Sequence, residues 1–184
     1  KTEVYLRLID KALATGKQVL LLVPEINLTP QLEGRVRARF PDTCVVSLHS
    51  ELAEAARERN WRAAFAGEAR IVLGTRLAIF TPLPALGLIV IDEEHDASFK
   101  QQDGMRYSAR DVGVFRARQL GIPILLGSAT PSLESWANAK NKRYQLLNLR
   151  ERANPEASLP VVKLFDTRKA PLKEGVSEPL IAAI

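Results

Sequence analysis

A chain of 184 residues, 46% of them apolar, is long enough to bury one α/β core and to begin a second. Its net charge of +5 suits a polyanionic partner but is equally common among ordinary domains, so charge alone does not assign nucleic acid. A single cysteine, Cys44, excludes a disulfide framework or a multi-thiolate zinc site built from this chain, and no apolar stretch approaches the roughly 20 residues that a membrane-spanning helix needs.

The first segment carries helical spacing in Tyr5, Leu8, Ile9, Ala12 and Leu13, and Gly16 closes it in the manner of a C-terminal cap. Its polar start, Lys1 to Tyr5, does not read as a signal peptide. Short apolar runs follow at Val19–Val23, Cys44–Leu48, Ile71–Leu73, Leu88–Ile91 and Ile122–Leu126, each the length of a strand. Cys44, within the second run, reads as a buried strand residue that suits a reducing compartment. Between the runs lie a helix through Leu32, Val36 and Phe40, and a second helix expected from an N-cap at Ser50, with Glu51 and Glu54 in its first turn, to about Ala66. Arg35, Arg37 and Arg39 fall on the first of these without sharing one face, which reads as a solvated surface.

Runs that are continuously apolar rather than alternating imply a sheet covered on both faces. Strand, helix and strand in repetition make that sheet open and mostly parallel, with ligands at the carboxyl ends of its strands. The polar stretch after Arg150, with two prolines between Glu151 and Pro160, reads as a linker. The expected organisation is therefore a domain over 1–150, a linker over 151–160, and a second domain beginning at 161–184 with a strand at Val161–Phe165.

The chemistry concentrates in Gly87-Leu88-Ile89-Val90-Ile91-Asp92-Glu93-Glu94-His95, an apolar strand that delivers carboxylates to the carboxyl edge of the sheet. Phosphoryl transfer needs one carboxylate to hold Mg²⁺ and a second group to orient or deprotonate water, roles that suit Asp92 and Glu93. An isolated Asp-Glu pair is more often a solvated turn. Here, however, Gly127-Ser128-Ala129-Thr130-Pro131 follows the next apolar run and would bring two hydroxyls to the same edge. Ser128 and Thr130 could equally cap a helix beginning at Pro131. His95 has only His49 as a histidine companion and no nearby cysteine, which favours a hydrogen-bonding link over metal ligation. His49, ahead of Ser50, reads as a residue at a helix start.

Asp92 to His95 resembles the Walker B box of superfamily 2 helicases, and Ser128-Ala129-Thr130 their motif III. Gly74-Thr75-Arg76 resembles motif Ib, and Leu22-Val23-Pro24-Glu25 motif Ia. Asp-Glu-Glu-His followed by Asp96 to Gln102 and Arg106-Tyr107 is most similar to the bacterial replication-restart DNA helicases, over essentially the whole chain. The resemblance implies a RecA-like P-loop fold and a motor driven by ATP and Mg²⁺. Lys1 and Thr2 match the end of the Walker A loop, whose lysine reaches the β and γ phosphates and whose threonine joins Asp92 on the metal. The glycines expected before such a lysine are not in this sequence, so poor nucleotide binding is expected of it, and without the second domain's arginine finger it is expected to be a poor ATPase alone.

The same resemblance assigns nucleotide-to-DNA coupling to His95, Ser128 and Thr130, and makes Phe99 to Tyr107 an aromatic-rich loop that senses single-stranded DNA. Stacking on Phe99 or Tyr107 with Lys100, Arg106 or Arg110 nearby suits that task, although the aromatics could instead pin a long loop to the core. Thr75 and Arg76 could meet a DNA phosphate, or Arg76 could cap a carbonyl or pair with an acid. Further implied are 3′ to 5′ DNA unwinding at stalled forks, with single-stranded and forked DNA as nucleic-acid partners, in the bacterial cytoplasm and away from any membrane. The implied partners are the single-stranded DNA-binding protein and other primosome components, with zinc confined to parts of the full protein outside this chain. The rivals are another superfamily 2 translocase, or a nucleic-acid-binding module that no longer hydrolyses.

Overall fold

The computed structural model describes residues 1–25, 28, 30–149, 162, 166, 168, 172–173 and 175–181. It divides into two compact units, Lys1–Tyr144 and Gln145–Ile184. The expected linker over 151–160, and all of the strand expected at Val161–Phe165 except Val162, lie outside the described residues.

In the first unit, helix α1 (Thr2–Ala14) leads to β1 (Gln18–Leu22), and α2 (Pro30–Arg39) to β2 (Val45–Leu48). Next come α3 (Glu54–Phe65), β3 (Ile71–Gly74), a 3₁₀ turn over Arg76–Phe80, and β4 (Leu86–Asp92). A short hairpin, β5 (Lys100–Gln101) with β6 (Tyr107–Ser108), precedes α4 (Ala109–Leu120), β7 (Ile124–Gly127) and α5 (Leu133–Lys140). Five strands form a parallel sheet in the order β2-β3-β1-β4-β7.

Burial follows the two-residue period of the pleat, as it must when both faces are covered. Leu20 and Leu22 of β1 and Ile89 and Ile91 of β4 join one apolar cluster, completed by Ala64 of α3, Ala109 and Ala117 of α4, and Ile79. Val19 and Leu21 with Leu88 and Val90 face the other way, against Tyr5, Leu6 and Ile9 of α1 and Val36 of α2. Gly16 takes φ +74 just beyond α1 and its N–H reaches the Leu13 carbonyl, which makes room for the tight return into β1. β7, at one edge of the sheet, is only half-buried apart from Gly127, whereas β2 at the other edge is buried throughout.

Gln18, fully buried at the start of β1, is a polar residue inside this core with both its amide nitrogen and its amide oxygen hydrogen-bonded. Its Nε2 donates to the carbonyls of Ala64 and Ala69 at 2.9 and 2.8 Å, and its Oε1 accepts from Ala85 N at 3.0 Å. One side chain thus ties the end of α3 and the entry to β4 onto the central strand.

Three local expectations are corrected. Cys44 is exposed, because β2 begins one residue later and the Cys44 carbonyl instead receives the Arg70 N–H at the sheet's outer edge. Helix α3 starts at Glu54 after Ala53, not at Ser50: residues 50–52 make a turn, with Leu52 N donating to the His49 carbonyl. Ser128 and Thr130 do not cap a helix at Pro131. Ser132 does so for α5, accepting from Ser135 N.

The second unit contains an antiparallel pair, β8 (Leu172–Lys173) and β9 (Val176–Ser177), followed by α6 (Glu178–Ile181). No described helix is long and apolar enough to cross a membrane.

Candidate active site

β4 lies between β1 and β7, and its last residue, Asp92, is in register with Gly127 at the end of β7. The chain leaves the strand through Glu93 at φ +48, a left-handed conformation that a non-glycine residue adopts at a cost of about 1–3 kcal/mol. Three bonds over-determine this turn. Asp92 Oδ1 accepts from Glu93 N at 3.0 Å, Glu94 N donates to the Gly127 carbonyl at 3.1 Å, and Asp96 N to the Glu93 carbonyl at 2.8 Å.

Helix α1 brings a cation and a phenol to the same place. Lys1, at its N-terminus, hydrogen-bonds Glu93 Oε1 and lies 3.5 Å from Asp92 Oδ1. One turn on, the Tyr5 hydroxyl donates to Asp92 Oδ1 at 2.7 Å. Burial, reinforced by the hydrogen bond to Asp92 and by the nearby Asp92 and Glu93 charges, pushes the Tyr5 phenol far above its ordinary range, so it remains a donor.

On the other side, His95 Nδ1 and Ser128 Oγ are hydrogen-bonded at 2.8 Å, His95 Nε2 lies 3.4 Å from Thr130 Oγ1, and Thr130 N donates to Ser128 Oγ at 3.0 Å. Glu93 Oε2 is 3.7 Å from His95 Nδ1. One connected set therefore runs from Lys1 through Asp92 and Glu93 to His95, Ser128 and Thr130.

Asp96 caps the 3₁₀ turn over Ala97–Phe99 by accepting from Ser98 N, and the chain then forms the β5–β6 hairpin with Gly104 at φ +66 near its tip. Lys100, Gln101, Gln102, Asp103, Arg106 and Tyr107 line an open depression there. Arg76 Nη1 holds the hairpin's base, donating to the carbonyls of Ser98 and Lys100 at 3.0 and 3.2 Å.

A family model described as DEAD/DEAH box helicase matches residues 1–139. The chain belongs to that family. The chain is 47% identical to the replication restart protein PriA of Haemophilus influenzae, over 98% of this chain and 24% of the relative. Its identity to the protein of that name from Bacillus subtilis is 46%, over 92% of this chain and 21% of the relative. The chain spans about a quarter of the length of these curated relatives. Among solved structures, the C-terminal part of the Fun30 ATPase domain matches with a TM-score of 0.50 at 14% identity, covering 73% of this chain and 42% of that one. That likeness is one of fold, a RecA-like helicase domain.

Within this helicase domain, the residues expected at the nucleotide side, Lys1, Asp92 and Glu93, lie together, and Thr2 opens the same helix, half-buried. Lys100 and Arg106 are exposed on the hairpin, and Tyr107 is half-buried with its ring edge against Phe80 at 5.0 Å.

Three of the residues expected to touch DNA are corrected. Phe99 is 1% exposed and belongs to the core cluster, where it pins the loop rather than offering a ring face. Arg110 is buried, with Nη1 on Ser132 Oγ at 2.6 Å and Glu94 Oε2 at 3.3 Å, and Nε on Asp111 at 2.8 Å, so Nη1 and Nε are engaged within the domain. Thr75 is buried, leaving its side chain no access to a phosphate. Of the options open for Arg76, the carbonyl bridge is the one present.

Sequence reading missed Tyr5, whose spacing marks it only as a core residue, and Glu94, which is indistinguishable by type from Glu93 beside it. It also missed why position 127 is glycine: a Cβ there would lie 1.8 Å from the Tyr5 hydroxyl oxygen. Gly127→Ala should therefore displace Tyr5 from Asp92 and cost about 1–3 kcal/mol. Tyr5→Phe should cost about 1 kcal/mol. In urea unfolding the double variant should lose less than the sum of the two, since both act on one contact. Strict additivity would contradict that contact.

Proposed function

We propose that the chain forms most of the first RecA-like domain of an ATP-driven 3′ to 5′ DNA helicase of replication restart, paired in the full protein with a second such domain. The convergence of Lys1, Asp92, Glu93, His95, Ser128 and Thr130 at the carboxyl ends of β4 and β7 carries this reading. Oxygen donors dominate the site, and among the described residues no group of three or more His, Cys, Asp or Glu gathers as an all-protein metal cage. That donor set fits Mg²⁺, which binds one or two protein oxygens and takes the rest from phosphates and water. Asp92 and Thr2 would hold the ion, whose charge offsets that of the triphosphate. Lys1 would exchange Glu93 for a phosphate oxygen, freeing Glu93 to orient the attacking water.

His95 then joins the two halves of the reaction, since its ring contacts Ser128 and Thr130 and lies beside Glu93. Lys100, Arg106 and Tyr107 supply the cations and partly exposed ring that a single strand requires. Single-stranded and forked DNA are the proposed substrates, with the single-stranded DNA-binding protein and primosome components as partners in a bacterial cytoplasm. The test is ATP hydrolysis by the full-length protein with and without single-stranded DNA. Turnover should rise about ten-fold or more on DNA addition, equivalent to roughly 1.4 kcal/mol of coupling. Hydrolysis indifferent to DNA would defeat the motor reading.

A further inference from the structure

Glu94 has no place in the chemistry described so far, yet it is among the most thoroughly bonded side chains in the domain. Its Oε1 accepts from Ser132 N at 2.7 Å, and its Oε2 from Ser132 Oγ at 3.1 Å, Ser135 Oγ at 2.9 Å and Arg110 Nη1 at 3.3 Å. The Glu94 and Arg110 side chains are 1% and 8% exposed, so the pair is largely buried.

Its place in the chain matters more than its strength. Arg110 sits in the first turn of α4, two residues after Ser108, which is both the end of the hairpin and the N-cap of that helix. Glu94 directly follows Glu93, whose left-handed backbone is the most constrained point of the acidic turn. Ser132, the third member, caps α5 just after Thr130. A displacement of the hairpin that tilts the start of α4 must therefore move Glu94 or break a buried ion pair, and moving Glu94 re-aims its neighbour.

We propose that Glu94 and Arg110 are positioning residues that transmit the state of the 100–108 hairpin to Glu93, so that DNA on the hairpin sets the water-activating carboxylate. The inference rests on the motor reading above and names the joint by which its two sites communicate. Coupling between sites is carried by packed and hydrogen-bonded contacts that can rearrange, and spatial proximity alone would not establish it.

The experiment compares turnover with and without single-stranded oligonucleotide in the full-length protein for wild type, Glu94→Gln, Arg110→Gln, Arg110→Lys and the Glu94→Gln/Arg110→Gln double variant. The two single Gln variants should each lose about ten-fold in DNA-stimulated kcat, with DNA-free kcat and KM for ATP within about two-fold of wild type. The double variant should be no worse than either single, because both changes cut one bond. Arg110→Lys, which keeps a cation beside Glu94, should retain most of the stimulation. Should Glu94→Gln fail to fold, the contrast between Arg110→Gln and Arg110→Lys gives the same reading. Stimulation that survives in the Gln variants, or rates with and without DNA that fall in proportion, would overturn the proposal while leaving the motor intact. A wild-type protein unresponsive to DNA would remove both.

Discussion

Glu93→Gln in the full-length protein should abolish most ATP turnover, by about 10²- to 10⁴-fold, while ATP still binds. The substitution is nearly isosteric, so the left-handed turn at φ +48 and its backbone bonds through Asp96 and Asp92 need not change. What disappears is the negative oxygen that would orient and deprotonate water. Asp92 keeps its own anchors, the Tyr5 hydroxyl and the Glu93 N–H, so the proposed metal ligand stays in place. Binding should hold or tighten, because the ion pair between Lys1 and Glu93 competes with a triphosphate for the same ammonium group. Measured kcat should collapse with KM for ATP not raised beyond about three-fold, the pattern of a group that acts only in the transition state. An unchanged kcat would remove Glu93 from the chemistry, and a collapse confined to KM would make it a binding residue instead.

The strands were legible because each is a short, continuously apolar run, and a sheet covered on both faces leaves no other place for such a run. Their carboxyl ends were legible with them, which is why Asp92, Glu93, His95, Ser128 and Thr130 could be placed at one edge before any coordinate. Helix starts were less readable, since capping depends on where the preceding turn ends. Ser50 has the right chemistry, but the turn over residues 50–52 separates it from α3, and the side chain that caps α5 is Ser132 rather than Ser128 or Thr130.

Least legible were pairings that only the tertiary fold creates. Arg110 reads as a cation for DNA until Glu94, sixteen residues away, is seen to receive it in the interior. Phe99 has the chemistry of a stacking ring, and whether its face meets a base or the core depends on which way a 3₁₀ turn rotates. Cys44 was misread for the opposite reason, since an apolar neighbour on one side says nothing of a sheet edge on the other.

Glu94→Ala should be a damaging single substitution for stability, at about 1–3 kcal/mol, because it removes the interior one of the carboxylates that meet a buried guanidinium and leaves several buried donors without an acceptor. The loss is larger than that of an exposed ion pair for two reasons. At 8% exposure, the Arg110 side chain cannot recover its hydration by a small rotation, and Asp111 and Glu134, its remaining acids, are both on the solvent side. Burial works against the Arg110 charge, and the bonds and charges of Asp111 and Glu94 together outweigh it, holding its pKa above the ordinary value. Removing Glu94 removes part of that counterweight. The substitution also strips an acceptor from Ser132 N, Ser132 Oγ and Ser135 Oγ, loosening the start of α5. Replacing both partners with apolar residues, Glu94→Leu with Arg110→Met, should recover the part due to the under-compensated guanidinium and not the part due to the serines. Urea unfolding of the chain distinguishes these contributions. A Glu94→Ala variant indistinguishable from wild type would mean that the pair is hydrated like a surface ion pair.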